Sequence, residues 1–164
     1  MASQPQGLTT LLARLAASGT DFLLVGGLAA VAQGAPLTTM DVDVVHRRDA
    51  DNVDRLMVFL SSVDARYRGR PAGQVLRPTP ESLLGDGHHL LVTSLGPLDV
   101  LGAIEGGRDY PSLLPDSVAV EVEGQAVRVV RLETLADLKR GATGTKERMV
   151  LAILEETLSR RAGR

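Results

Sequence analysis

Residues 22–45 read FLLVGGLAAVAQGAPLTTMDVDVV. Phe22 to Val25 is an apolar run of strand type that stops at Gly26-Gly27, and residues 28–33 continue as a small-residue helix candidate closed by Gly34. A strand that ends at two glycines and restarts as a helix presents unpaired backbone N–H groups. Glycine lets the backbone approach a ligand closely. Such a helix start favours an anion, above all a phosphate. The plain alternative is a strand-to-helix turn without a ligand.

Asp41 and Asp43 then lead into Val42, Val44 and Val45. On a strand, residues i and i+2 share a face. Two carboxylates on one face repel unless a cation sits between them. Mg²⁺ suits such a pair, because it takes hard oxygen ligands and keeps positions open for water and substrate phosphates; Mn²⁺ is the natural substitute. The alternative is a pair of solvated aspartates. Asp49-Ala50-Asp51 is a pair of that kind, expected to cap and charge the next helix.

Asp99 lies in HHLLVTSLGPLDVLGAI, inside an apolar run of Leu98, Val100 and Leu101. Residues 89–93 and 98–102 read as two short strands. A charged group in such a strand needs a partner or a metal. If this strand lies beside that of Asp41 and Asp43, three carboxylates converge. Two can then bridge two Mg²⁺ ions, while the third ligates one ion and acts as base on an acceptor hydroxyl, the arrangement used for in-line phosphoryl or nucleotidyl transfer. An outward-facing aspartate on an edge strand is the alternative.

The ordered set Gly26-Gly27, Thr39-x-Asp41-x-Asp43 and Leu98-Asp99-Val100-Leu101 resembles the nucleotidyltransferase superfamily, with its DNA-polymerase-β-like palm. Within it the chain is most similar to small bacterial proteins related to the AbiEii-type toxin nucleotidyltransferases. The C-terminal ETLADLKRGATGTKERMVLAILEETL is also similar to the tail of those proteins, where a leucine-rich helix carries a lysine and a second lysine, followed by an acid, comes seven residues later. Here these are Lys139 and Lys146-Glu147. The resemblance spans about residues 20–158. Many members have Gly-Ser at the position of Gly26-Gly27, and related small proteins often have Asp where this chain has Glu147.

The resemblance implies an α/β fold with a short mixed sheet, packed helices and two C-terminal helices. It implies transfer of a nucleoside monophosphate from an NTP to an acceptor hydroxyl, with release of pyrophosphate. Asp41, Asp43 and Asp99 would be catalytic and would hold the metal, two Mg²⁺ ions or Mn²⁺. Gly26, Gly27, Thr39, Lys139 and Lys146 would bind the nucleotide. The acceptor class stays open between a transfer-RNA end, a protein side chain and a small molecule. The competing expectations are the toxin-like half of a pair with a cognate antitoxin, and a nucleotide-binding domain without catalysis.

Composition sets the outer limits. The 164 residues are expected to form one domain over 1–164, with frayed ends at 1–7 and 161–164. Apolar residues make up 44% of the chain and aromatic residues only 2%, so Leu, Val and Ala must build the core. That argues against a single-strand nucleic-acid platform of stacked rings. A formal net charge of −2 supplies no overall basic field. The absence of cysteine excludes disulfides, zinc–thiolate sites and thiol nucleophiles, and fits a cytoplasmic protein. No run approaches the ~20 apolar residues of a membrane span, and MASQPQG lacks the features of a signal peptide.

Elsewhere, residues 8–18 are a helix candidate with Leu8, Leu11, Leu12 and Leu15 at helical spacing. Residues 49–62 are another, after Arg47-Arg48, which read as a solvated pair or as a phosphate contact. Residues 65–67 are a candidate strand. Residues 68–88 read as a loop with one helical turn at 80–84. The arginines at 66, 68, 70 and 77 make its start basic and mark it as an acceptor or nucleotide contact, or as a disordered basic loop. Residues 102–117 read as a second loop with a turn at 110–114. The alternation around Glu123-Gly124-Gln125 predicts a β-hairpin. His46 is expected to be structural or exposed, and His88-His89 no zinc site.

Overall fold

The structure is a computed structural model that describes residues 6–163. The elements are α1 (Gln6–Ala17), β1 (Phe22–Val25), α2 (Gly26–Ala32), β2 (Val42–His46), α3 (Ala50–Ser62), β3 (Arg66–Tyr67), α4 (Pro80–Leu83), β4 (His88–Thr93), β5 (Gly96–Leu101), β6 (Ala103–Ile104), β7 (Arg108–Asp109), α5 (Tyr110–Leu113), β8 (Ser117–Val122), β9 (Gln125–Val130), α6 (Leu132–Lys139) and α7 (Thr145–Ala162). Seven strands form one mixed sheet in the order β3-β4-β5-β2-β1-β9-β8, and β6 and β7 form a separate small hairpin. The expected α/β architecture with two C-terminal helices is observed.

All four residues of β1 are buried. Successive strand residues point to opposite faces, so both faces of the sheet are covered at its centre. Leu8, Leu11, Leu12 and Leu15 of α1 are buried as their spacing predicts, and α1 packs across β9, β5, β2 and β8. In α3, Val53, Leu56 and Leu60 are buried and Met57 packs partly against the core. Asp49 is the N-cap of α3, its carboxylate accepting the Asn52 N–H at 2.8 Å. The Asp49/Asp51 pair is therefore a helix-start device, as the sequence suggests.

Two pairings place the site. β1 runs antiparallel to β2 with Val25 opposite Asp43. β2 runs parallel to β5 with Asp43 opposite Asp99. The β8–β9 hairpin closes through Glu123 (φ 47) and Gly124 (φ 81). Two successive positive φ values give the turn type whose twist matches paired strands.

Several boundaries differ from those read in the sequence. Gly26 and Gly27 open α2 rather than preceding it, and the helix ends one residue before Gln33. β5 starts at Gly96, so only Ser94-Leu95 connects it to β4. The loop over 102–117 contains the β6–β7 hairpin, too short to carry a periodic signal. Helix α1 already includes Gln6 and Gly7, and α7 continues to Ala162. The rest of the two expected frayed ends, residues 1–5 and 164, lies outside the described residues.

Candidate active site

The register carries the aspartates together. Asp41, just before β2, Asp43 on β2 and Asp99 on β5 each offer a carboxylate oxygen, and these atoms lie within 4.8 Å of one another. Asp43 Oδ1 and Asp99 Oδ1 are buried without a hydrogen bond. Burial pushes the Asp43 carboxyl from 3.8 up to about 7; the charges of Asp99 and Asp41 push the same way, and Arg68 pulls against them. Hard oxygen donors, crowded and half-buried, with an unbonded oxygen on Asp43, form a donor set that a divalent cation fits.

The glycine pair is explained by packing as well as by ligand access. Gly26 has φ +70, and a Cβ there would collide with the Asp43 carboxylate. A Cβ at Gly27 would come within 3.1 Å of the Thr39 side chain. The turn is thus pressed directly onto the carboxylate strand and the loop before it. Thr39 Oγ1 donates to the Asp41 carbonyl at 3.3 Å and so ties down that loop.

A cleft of about 440 Å³ opens at this point. Gly26, Gly27, Thr39, Asp41, Asp43, Lys139 and Lys146 all line it, with an apolar wall from Leu135, Leu138, Val150 and Leu154. Lys139 ends α6 and is half-buried, whereas Lys146 starts α7 and is exposed. They sit on two helices and reach one cavity because α7 packs back on α6. The cleft joins anion-attracting backbone and lysines on one side to metal-type carboxylates on the other. Asp99 does not line it; it stands opposite Asp43 on the neighbouring strand β5.

Sequence reasoning missed the partner of Asp99. Arg68, just past β3, places Nη1 2.7 Å from Asp99 Oδ1. The signal was the requirement that a carboxylate in an apolar strand find a counter-charge; the distance in sequence hid which residue supplies it. Elsewhere in the basic loop, two arginines share one carboxylate and Arg70 is exposed without an ion pair among the described residues, so the loop keeps a basic balance. Arg77 and Arg66 both pair with Asp64, at 2.6 and 3.0 Å. The Tyr67 N–H donates to the Leu76 carbonyl at 2.9 Å, so the loop folds back on β3. Arg47 pairs with Asp49 at 2.6 Å and Arg48 with Asp109 at 3.4 Å, and neither lines the cleft. His46 is fully buried and its Nε2–H donates to the Leu83 carbonyl at 2.6 Å, which makes it structural. His89 Nδ1 meets the Tyr67 hydroxyl at 2.6 Å, whereas His88 Nε2 donates to the Ala103 carbonyl at 2.7 Å.

No protein-family model matches the sequence, and no curated protein matches it. Solved structures do. A Thermotoga maritima protein named for nucleotidyltransferase activity is 17% identical over 93% of this chain and 87% of its own, with a TM-score of 0.50. The antibiotic-resistance factor ANT(2'')-Ia is 14% identical over 92% and 83%, with a TM-score of 0.54. An antigenic nucleotidyltransferase-like protein from Paracoccidioides brasiliensis is 20% identical over 93% and 76%, also at 0.54. At such identities the likeness is one of fold.

Proposed function

Taking the nucleotidyltransferase fold of this chain as the premise, we propose that it transfers a nucleoside monophosphate from an NTP to an acceptor hydroxyl. The observation that carries this reading is the convergence of Asp41, Asp43 and Asp99 beside a cleft that Gly26, Gly27, Thr39, Lys139 and Lys146 also line. Asp41 and Asp43 would hold Mg²⁺, which when bound screens the phosphate oxygens and favours in-line displacement. The start of α2 and the two lysines would hold the triphosphate and offset charge on the leaving group. The acceptor oxygen forms a bond to the α-phosphorus, and its proton passes to Asp99. The bond from the α-phosphorus to the bridging oxygen breaks, and that oxygen leaves with pyrophosphate.

No helix among the described residues is long and apolar enough to cross a membrane. An RNA end, a protein side chain or a small molecule would each serve as acceptor, and the largely apolar wall of the cleft suits one that is not a polycation. A second reading, nucleotide binding without transfer, is supported by the engagement of Asp99 with Arg68. In a toxin-like setting such a domain would be bound and neutralised by a cognate antitoxin.

The test is incubation with Mg²⁺ and each α-labelled NTP, together with transfer RNA, cell extract or neither, using Asp41→Ala as control. Label appearing on RNA, protein or a small molecule, and absent with Asp41→Ala, is the expected outcome. NTP binding without any transfer would favour the second reading. Failure to bind NTP at all would reject both.

A further inference from the structure

Asp99 already has a cation. Arg68 Nη1 stands 2.7 Å from Asp99 Oδ1, whereas among the described residues neither Asp41 nor Asp43 forms an ion pair. The two stand in charge contact, and Nη1 also donates an N–H to the Leu91 carbonyl at 2.9 Å. The Arg68 backbone N–H donates to the Leu90 carbonyl at 3.0 Å. Leu90 is the β4 residue in register with Asp99. The arginine is therefore fastened to β4 at both its backbone and its guanidinium, and its charge is held in place over the carboxylate. The Asp99 side chain is only 13% exposed and that of Arg68 32%, so water screens the pair weakly.

This fixed charge changes what the cluster can accept. Three carboxylates alone carry three negative charges, which invites two divalent ions. With the guanidinium in place two negative charges remain, and a single divalent ion neutralises them. A second ion ligated by Asp99 would have to sit against the guanidinium or displace it from the Leu91 carbonyl. Arginine cannot relieve that repulsion by losing its proton.

We propose that Arg68 stands in for a second divalent cation, so that the protein's own residues take one Mg²⁺, between Asp41 and Asp43, and Asp99 keeps its arginine. The proposal rests on the metal-site reading given above and revises the two-ion expectation drawn from the sequence. Arg68 is a positioning residue here: it fixes Asp99 and limits the ion count.

The experiment counts Mn²⁺ bound by the nucleotide-free protein, using the electron paramagnetic resonance signal of unbound Mn²⁺. The wild type is expected to saturate at one ion per chain, Arg68→Gln at two, and Arg68→Lys, which restores the charge, at one. Circular dichroism melts check that each variant is folded. Two ions on the wild type, or one on folded Arg68→Gln, overturns the proposal while leaving the metal-site reading intact. If Arg68→Gln does not fold, the wild-type count and Arg68→Lys still decide: one ion on each supports the proposal, and two on either overturns it. Asp41→Ala separates the two levels. Undiminished Mn²⁺ binding in that variant, or none on the wild type, rejects the metal-site reading and the proposal with it.

Discussion

Asp43 and Asp99 stand opposite each other on adjacent parallel strands, one facing the cleft and the other engaged by Arg68. Parallel pairing in register sets two like charges side by side, and burial deepens the conflict. The two carboxyls therefore oppose each other in the fold, a conflict that a cation bound there would relieve.

Replacing Asp43 by Asn should stabilise the metal-free protein near pH 8 while removing its stabilisation by Mg²⁺. The pKa rises from 3.8 to about 7 on folding. Between those values the folded chain binds more protons than the unfolded chain, so stability falls as pH rises through that window and levels off above it. The advantage of Asp43→Asn should thus grow from pH 4.5 to pH 7.5. The full shift corresponds to ~4 kcal/mol, and partial solvation reduces the expected gain to roughly 2 kcal/mol. Paired urea melts at the two pH values measure it, and a constant difference would sink the argument.

Gly26→Ala should cost more than Gly34→Ala. Both positions have positive φ, +70 and +97, so both variants bear the left-handed strain of about 1 kcal/mol. Only at Gly26 does the added Cβ meet a neighbour, the Asp43 carboxylate, whereas Gly34 has open space. The steric conflict should add about 1–3 kcal/mol. It should also weaken Mn²⁺ binding by pushing Asp43 aside, and Gly34→Ala should leave Mn²⁺ binding unchanged. Equal melting temperatures for the two variants would contradict this.

The two lysines should matter unequally. Lys139 is half-buried and Lys146 exposed, though both line the cleft. Water and salt screen the exposed charge more strongly. Lys139→Ala is expected to weaken binding of a non-hydrolysable NTP analogue about 10-fold and Lys146→Ala about 3-fold, or ~1.4 and ~0.7 kcal/mol. Calorimetric titration at two salt concentrations gives the comparison, and the Lys146 effect should shrink more at high salt.

Acid should destabilise the fold through buried His46. Burial pushes the His46 pKa below 6.5. As pH falls below 6.5 the unfolded chain gains protons that the folded chain resists, so this contribution to stability is present above 6.5 and is lost on acidification. His46→Gln, whose amide can still donate to the Leu83 carbonyl, should reduce the acid slope. An unchanged difference from wild type between pH 7.5 and 5.5 would rule out His46 as the source.

The sequence by itself determined the local pieces. The four-residue apolar run of β1, the leucine spacing of α1, the Asp49 cap and the Glu123-Gly124 hairpin depend on contacts within a few residues, where side-chain periodicity and turn chemistry dominate. Asp41 and Asp43 were legible as a pair for the same reason, and the family-like order of motifs pointed to Asp99 and the lysines. Tertiary structure decided what those pieces face. The parallel β2–β5 pairing joins strands separated by α3, β3, α4 and β4, and it alone puts Asp99 beside Asp43. The return of α7 onto α6 brings Lys146 to the cleft, and the edge position of β3 lays Arg68 against Asp99. Nothing local encodes such contacts, because they follow from which apolar faces bury one another across the whole chain. A lone arginine in a basic loop and an arginine fastened over a half-buried carboxylate look the same until the sheet is assembled.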